Sequence, residues 1–137
     1  MKRIEYFSLL ADIFSFKTLS DDRGNEYVFF KNCCPTDKLI NIVDKTEFES
    51  FTNHIHLLDN IKKEEFDKLT EVSKIIIESV LSQLIQLFPD KKFRVYVSIC
   101  LKDSMIVRFH QKWENEEPYC NPEEFKKQNE KVFMVEN

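Results

Sequence analysis

Three histidines, four cysteines and a cluster of glutamates are the side chains of this 137-residue chain best suited to chemistry. His54 and His56 stand two apart. On a β-strand that spacing puts both imidazoles on one face, about 6.5–7 Å apart, a separation that can bind a metal ion. His110 or Glu114 would complete such a site. Cys33 and Cys34 are adjacent, Cys100 and Cys120 are isolated, and no C-x-x-C occurs. Adjacent thiolates rarely share an ion without strain, so four-cysteine zinc is a poor fit. Cys100 with His110 offers a thiol nucleophile and its base. Glu114, Glu116 and Glu117, flanked by Trp113 and Tyr119, offer a carboxylate acid/base pair. Each has a plainer counterpart: half-buried imidazoles, a thiol acting as a small hydrophobe, a solvated charge run. The reading taken is that the chain has no catalytic, cofactor-binding or metal-ligating residues. A small metal-binding protein or enzyme using His54, His56 and His110 is the alternative.

The stretch Arg108 to Tyr119, "RFHQKWENEEPY", is more informative. It holds the only Trp, and residues 111–130 carry six Glu against three Lys, a net −3 of the chain's −4. Trp113, Tyr119 and Phe125 are spaced through these carboxylates. Acidic residues around aromatic anchors suit a surface that steers and then grips a basic partner. The expected partner-binding residues are Arg108, His110, Trp113, Glu114, Glu116, Glu117 and Tyr119. The same stretch admits a second reading, in which Trp113 and Tyr119 cap the edge of the core and the glutamates are merely solvated.

Composition narrows the classes. Gly24 is the only glycine, so neither a dinucleotide-binding nor a P-loop glycine pattern can occur. The net negative charge leaves no basic footprint for nucleic acid. The N-terminal "MKRIEYFSLLADIFSF" is interrupted by Glu5 and Asp12, and "IIIESVLSQLIQLF" is too short and too polar to span a bilayer. The cysteines form no disulfide framework. These features point to a cytoplasmic protein with neither membrane nor nucleic acid as partner.

The elements that must position these residues read as one α+β domain over 1–137: an antiparallel sheet packed against helices. Ile4, Phe7, Leu10, Ala11 and Phe14 recur at helical spacing. "SDDRGNE" is a turn with Gly24 at positive φ, and "YVFF" is a strand. "CCPTDKLINIV" suggests a short helix turning Leu39, Ile40 and Val43 inward. "FESFTNHIHLLD" fits a helical turn at Phe48 and Phe51 and a strand at 54–57. A long central helix spans about 61–87, capped by Asp59 or Asn60 and stopped by Pro89. Glu71, Lys74, Glu78, Ser82 and Gln86 make one polar stripe, and the apolar remainder implies cover on more than one side. A β-hairpin follows (93–101, 105–110). Matching apolar faces puts Val97 opposite Phe109 and Tyr96 opposite His110, with Lys102-Asp103-Ser104 as the loop. "KVFMVE" is the last strand.

A glycine-poor, acidic α+β chain with a hairpin running into "RFHQKWENEEPY" resembles the single-domain immunity proteins of bacterial polymorphic-toxin systems. The resemblance implies a non-enzymatic domain that binds and blocks a partner protein, such as a basic toxin domain. It carries over no functional residues.

Overall fold

The computed structural model describes residues 10–124 and 129–137; Ile4, Phe7 and Phe125 of the expectations above lie outside them. Residues 10–13 are helical (α1). A hairpin follows, β1 (Phe16–Ser20) and β2 (Glu26–Phe30), then α2 (Lys45–Thr52), β3 (His54–Asp59), α3 (Lys63–Leu87), β4 (Phe93–Cys100), β5 (Ser104–Gln111) and β6 (Glu130–Glu136). Strands β3-β5-β4-β6 form one antiparallel sheet, and β1-β2 form a second. The α+β class holds. Among the described residues, no helix is long and apolar enough to cross a membrane.

Alternation decides which face of the large sheet is buried. Val95, Val97 and Ile99 of β4 and Val107 and Phe109 of β5 are inaccessible and pack with Phe66, Ile77, Val80 and Leu84 of α3. Phe30 closes this core from the hairpin, its ring 4.7 Å from that of Phe109. The stripe Glu71, Lys74, Glu78, Ser82 and Gln86 is exposed, as its spacing requires. Among the described residues, however, nothing covers the helix on a second side. Ile75 is 66% exposed, and Ile85 and Leu87 also face outward. A single sheet face covers only one flank of a helix. Nor do Asp59 or Asn60 cap α3: its N-cap is Lys62, whose N–H donates to Glu65 Oε1 at 3.2 Å.

The β4–β5 register differs from the expected one by two residues. Val97 pairs with Val107, Tyr96 with Arg108 and Arg94 with His110. The loop is three residues long, as the pattern demands, but it is Leu101-Lys102-Asp103. Lys102 takes the left-handed position at φ 66°. Contacts from elsewhere hold it there: Ile61 exchanges backbone hydrogen bonds with Lys102 and Asp103, and Leu101 N–H donates to Asn129 O. Sliding by two preserves every face, so the polar face still carries Arg94, Tyr96, Arg108 and His110.

The segment after Pro35 is not a helix. Leu39 is buried and forms a parallel bridge with Asp21, and its carbonyl accepts from Asp22 N–H at 3.1 Å. Asn41 then turns left-handed at φ 60°. The backbone is spent on the hairpin turn, and Ile40 and Val43 are thrown outward rather than in.

Candidate functional site

Helix α2 organises the region around the opening motif. Asp44 caps it, accepting from Glu47 N–H at 2.9 Å. Its other free donors are met from far along the chain. Glu116 accepts from Lys45 N–H (3.0 Å), Thr46 N–H (2.7 Å) and the Thr46 hydroxyl (2.7 Å), and pairs with Lys45 Nζ. Burial alone would raise the Glu116 carboxyl, but these donors and the helix's positive end outweigh it and hold it below the ordinary range.

One turn further in lies Glu49, fully buried. Its carboxylate accepts from Val28 N–H (3.0 Å), Gln111 Nε2 (2.8 Å), Trp113 Nε1 (3.1 Å) and Gln111 N–H. Burial pushes its carboxyl up to about 7, against four donors that favour the ionised form. Asn53, at i+4, continues the row: it accepts from Phe30 N–H at 2.9 Å and donates to Val28 O at 2.8 Å. Gln111 donates to Glu26 O. Side chains thus satisfy the outward backbone groups of β2, where another strand would otherwise pair.

Trp113 belongs to this architecture. Half-buried, it packs with Tyr27, Phe29, Leu39 and Phe48 in a second, smaller core, its ring 5.2 Å from Tyr27. It fits the core-capping alternative. On the sheet's polar face, His110 is buried, with Nδ1 2.7 Å from Gln111 O. A carbonyl only accepts, so Nδ1 carries the proton. Nε2 is then free to accept from Tyr96 OH (3.0 Å) and Tyr119 N–H (3.2 Å). Burial pushes His110 down to about 4, so it is a neutral fastener. Arg108 donates to Ser50 O and lies 4.7 Å from the Tyr119 ring, tying α2 to the loop.

What remains outside is a patch. Val43 is 91% exposed, Ile40 58%, Phe51 54% and Tyr119 36%. Phe51 and Tyr119 meet edge to face at 6.0 Å. An open recess of about 590 Å³ joins Phe51 to Ile40 and Val43, with Asp44, Glu47 and Phe48 also in its lining. Glu114 and Glu117 are exposed on the adjoining loop.

A family model matches residues 8–137: the uncharacterized protein PM0498 family. The chain belongs to this family. Neither a curated protein nor a solved structure matches it.

In this member of the PM0498 family His54 and His56 lie side by side on β3, ring centroids 5.9 Å apart, as their spacing requires, but His110 does not complete a site with them. His54 Nδ1 lies 2.8 Å from Phe51 O, His56 pairs with Asp59, both are exposed, and His110 is buried on Tyr96. Among the described residues no three His, Cys, Asp or Glu side chains gather where a metal could bind. All four cysteines are free, and burial pushes each thiol up, the opposite of what a nucleophile needs. Of the expected surface residues, Glu114, Glu117 and Tyr119 are exposed or nearly so, Arg108 is half-buried behind Tyr119, and Trp113, Glu116 and His110 support from within. Sequence reasoning missed Ile40, Val43 and Phe51 as surface and Glu49 as the hub. Glu49 carries no local signal: Glu47 stands two residues before it in the same short helix and is exposed.

Proposed function

We propose that this family member is a non-enzymatic protein-binding domain that acts in the cytoplasm by docking on, and blocking, a partner protein. The observation that carries this reading is the contiguous patch of Ile40, Val43, Phe51 and Tyr119. Scattered exposed apolar residues are ordinary; four large ones meeting across two chain segments, beside free carboxylates, mark an interaction surface. The segments beneath are fixed by Glu49, Glu116 and His110, so the patch is pre-formed and binding costs little ordering. Free thiols suit a reducing compartment. The likeness of 108–119 to immunity proteins favours a toxin domain as the partner.

The test is a photo-crosslinking amino acid placed at Val43 or Phe51 in source cells, with Lys74, exposed on α3, as control. The expected result is one discrete adduct from 43 and 51 and none from 74. No adduct, or the same adducts from all three, would remove the reading.

A further inference from the structure

Resting on the protein-binding reading above, we propose that the patch takes a basic segment of its partner: an aliphatic or aromatic anchor seated against Val43 and Phe51, flanked by lysine or arginine. The recess supplies the apolar half of that match through Ile40, Val43, Phe48 and Phe51. Its charged lining residues, Asp44 and Glu47, are both acidic. Glu47 enters no ion pair among the described residues, nor do Glu114 and Glu117 on the loop that carries Tyr119. Of the cations on the segments around it, Lys38 is exposed beside Asp37, at the edge next to Ile40, and two others are withdrawn. Lys45 is held by Glu116 and lies 5.5 Å over the Trp113 ring; Arg108 is stacked behind Tyr119 and bonded to α2. The surface therefore presents apolar side chains inside a net negative field. An acidic partner would be repelled there, and a neutral one would bury carboxylates without an opposite charge. A basic one steers in and pairs.

A second apolar recess, of about 390 Å³ between α1, β3 and α3, makes a contrast within the same molecule. It is lined by Leu10, Phe14, Leu58, Val72 and Ile75 among others, and among the described residues no charged one lines it. Apolar attraction alone would draw a peptide there as readily as to the patch.

The probes are three peptides: an amphipathic Leu/Lys peptide, its Leu/Glu counterpart, and a Ser/Lys peptide of equal charge to the first. Each is titrated into the ¹⁵N-labelled full chain. The Leu/Lys peptide is expected to shift the amides of residues 40–51, Glu117 and Tyr119 saturably, and the other two to leave them unmoved. Val43→Ser with Phe51→Ser should weaken that binding at least about tenfold, as loss of central apolar anchors does. Glu47→Lys with Glu117→Lys should weaken it more at low salt than at high salt. All four positions are exposed, so unchanged melts show that the variants fold. Equal binding of the Leu/Glu peptide, shifts confined to the Leu10–Val72 recess, or indifference to Val43→Ser with Phe51→Ser would each overturn the proposal. If crosslinking from Val43 and Phe51 captures a partner while the Leu/Lys peptide moves nothing, the basic chemistry is wrong and the surface reading stands. If both fail, both fall.

Discussion

The two cores of this molecule are built on opposite principles. Between α3 and the large sheet, the buried residues are almost wholly apolar, and packing holds them. Around α2 and the hairpin, Tyr27, Phe29 and Leu39 form only a small apolar cluster. Polar side chains do the joining: Glu49, Asn53 and Gln111 to β2, and Glu116 to the start of α2. The first kind of core tolerates small shifts, because apolar contact is non-directional. The second is satisfied or it is not, because each buried donor lacks an alternative acceptor. The proposed docking surface lies over the second. A site that must hold two chain segments in fixed relation benefits from directional bonds more than from oily contact.

The largest effect should come from breaking the polar core at its hub. Glu49→Gln keeps the shape but turns an amide NH₂ toward N–H donors. It should cost about 3–5 kcal/mol, the usual penalty for breaking a buried charged network. Urea melts measure it, and hydrogen exchange should show β1 and β2 opening before the large sheet. A cost under about 1 kcal/mol would mean that the hairpin is held by its aromatic contacts instead.

Leu84→Ala tests the apolar core, with an expected loss of about 2–5 kcal/mol. Here exchange should rise across the α3 and β4 amides together.

Within the polar region, His110 and Glu49 titrate in opposite senses. His110 is held down to about 4 by burial, so its contribution is complete above its unfolded value near 6.5 and lost as pH falls toward 4. Glu49 is pushed up to about 7, so its contribution is complete below its ordinary 4.5 and lost as pH rises through 7. In the native chain the slopes oppose between 4.5 and 6.5. Glu49→Gln removes one of them, and the variant should lose on the order of 3 kcal/mol on acidification from 6.5 to 4. A flat profile in that variant would show that His110 is protonated without leaving its bonds.

Trp113→Ala sharpens the division between support and surface. It should lower stability by about 2 kcal/mol, short of the range for a fully enclosed aromatic because the ring is half-buried. Unchanged melting with loss of partner binding would return Trp113 to the role of exposed anchor. The smallest effects belong to Ser82→Ala on the polar stripe of α3 and Val43→Ser on the patch, each within about 0.5 kcal/mol. A larger loss at Val43 would mean that the patch is part of the fold.

Local pattern was enough for much of this. Period-two alternation over 93–101 marked β4 and its buried face, and that face survived a slid register because a shift of two preserves it. The long apolar periodicity with one polar stripe gave α3, Pro89 gave its end, and Gly24 gave the hairpin turn. Each of these follows from the geometry of a few neighbouring residues. The loop at Leu101-Lys102-Asp103 was set by Ile61 and Asn129, and the failure of 36–43 to become a helix was set by Asp21 and Asp22. The roles of Glu49, Glu116 and Trp113 were set by donors and rings 21 to 86 positions away in sequence, such as Tyr27 and Val28 against Trp113 and Glu49. A carboxylate in a sequence looks the same whether water or four N–H groups will surround it. Only the closed tertiary structure, by removing the water, decided that Glu49 and Glu116 hold the fold from within while Glu47 and Glu117 face outward, free to meet a partner.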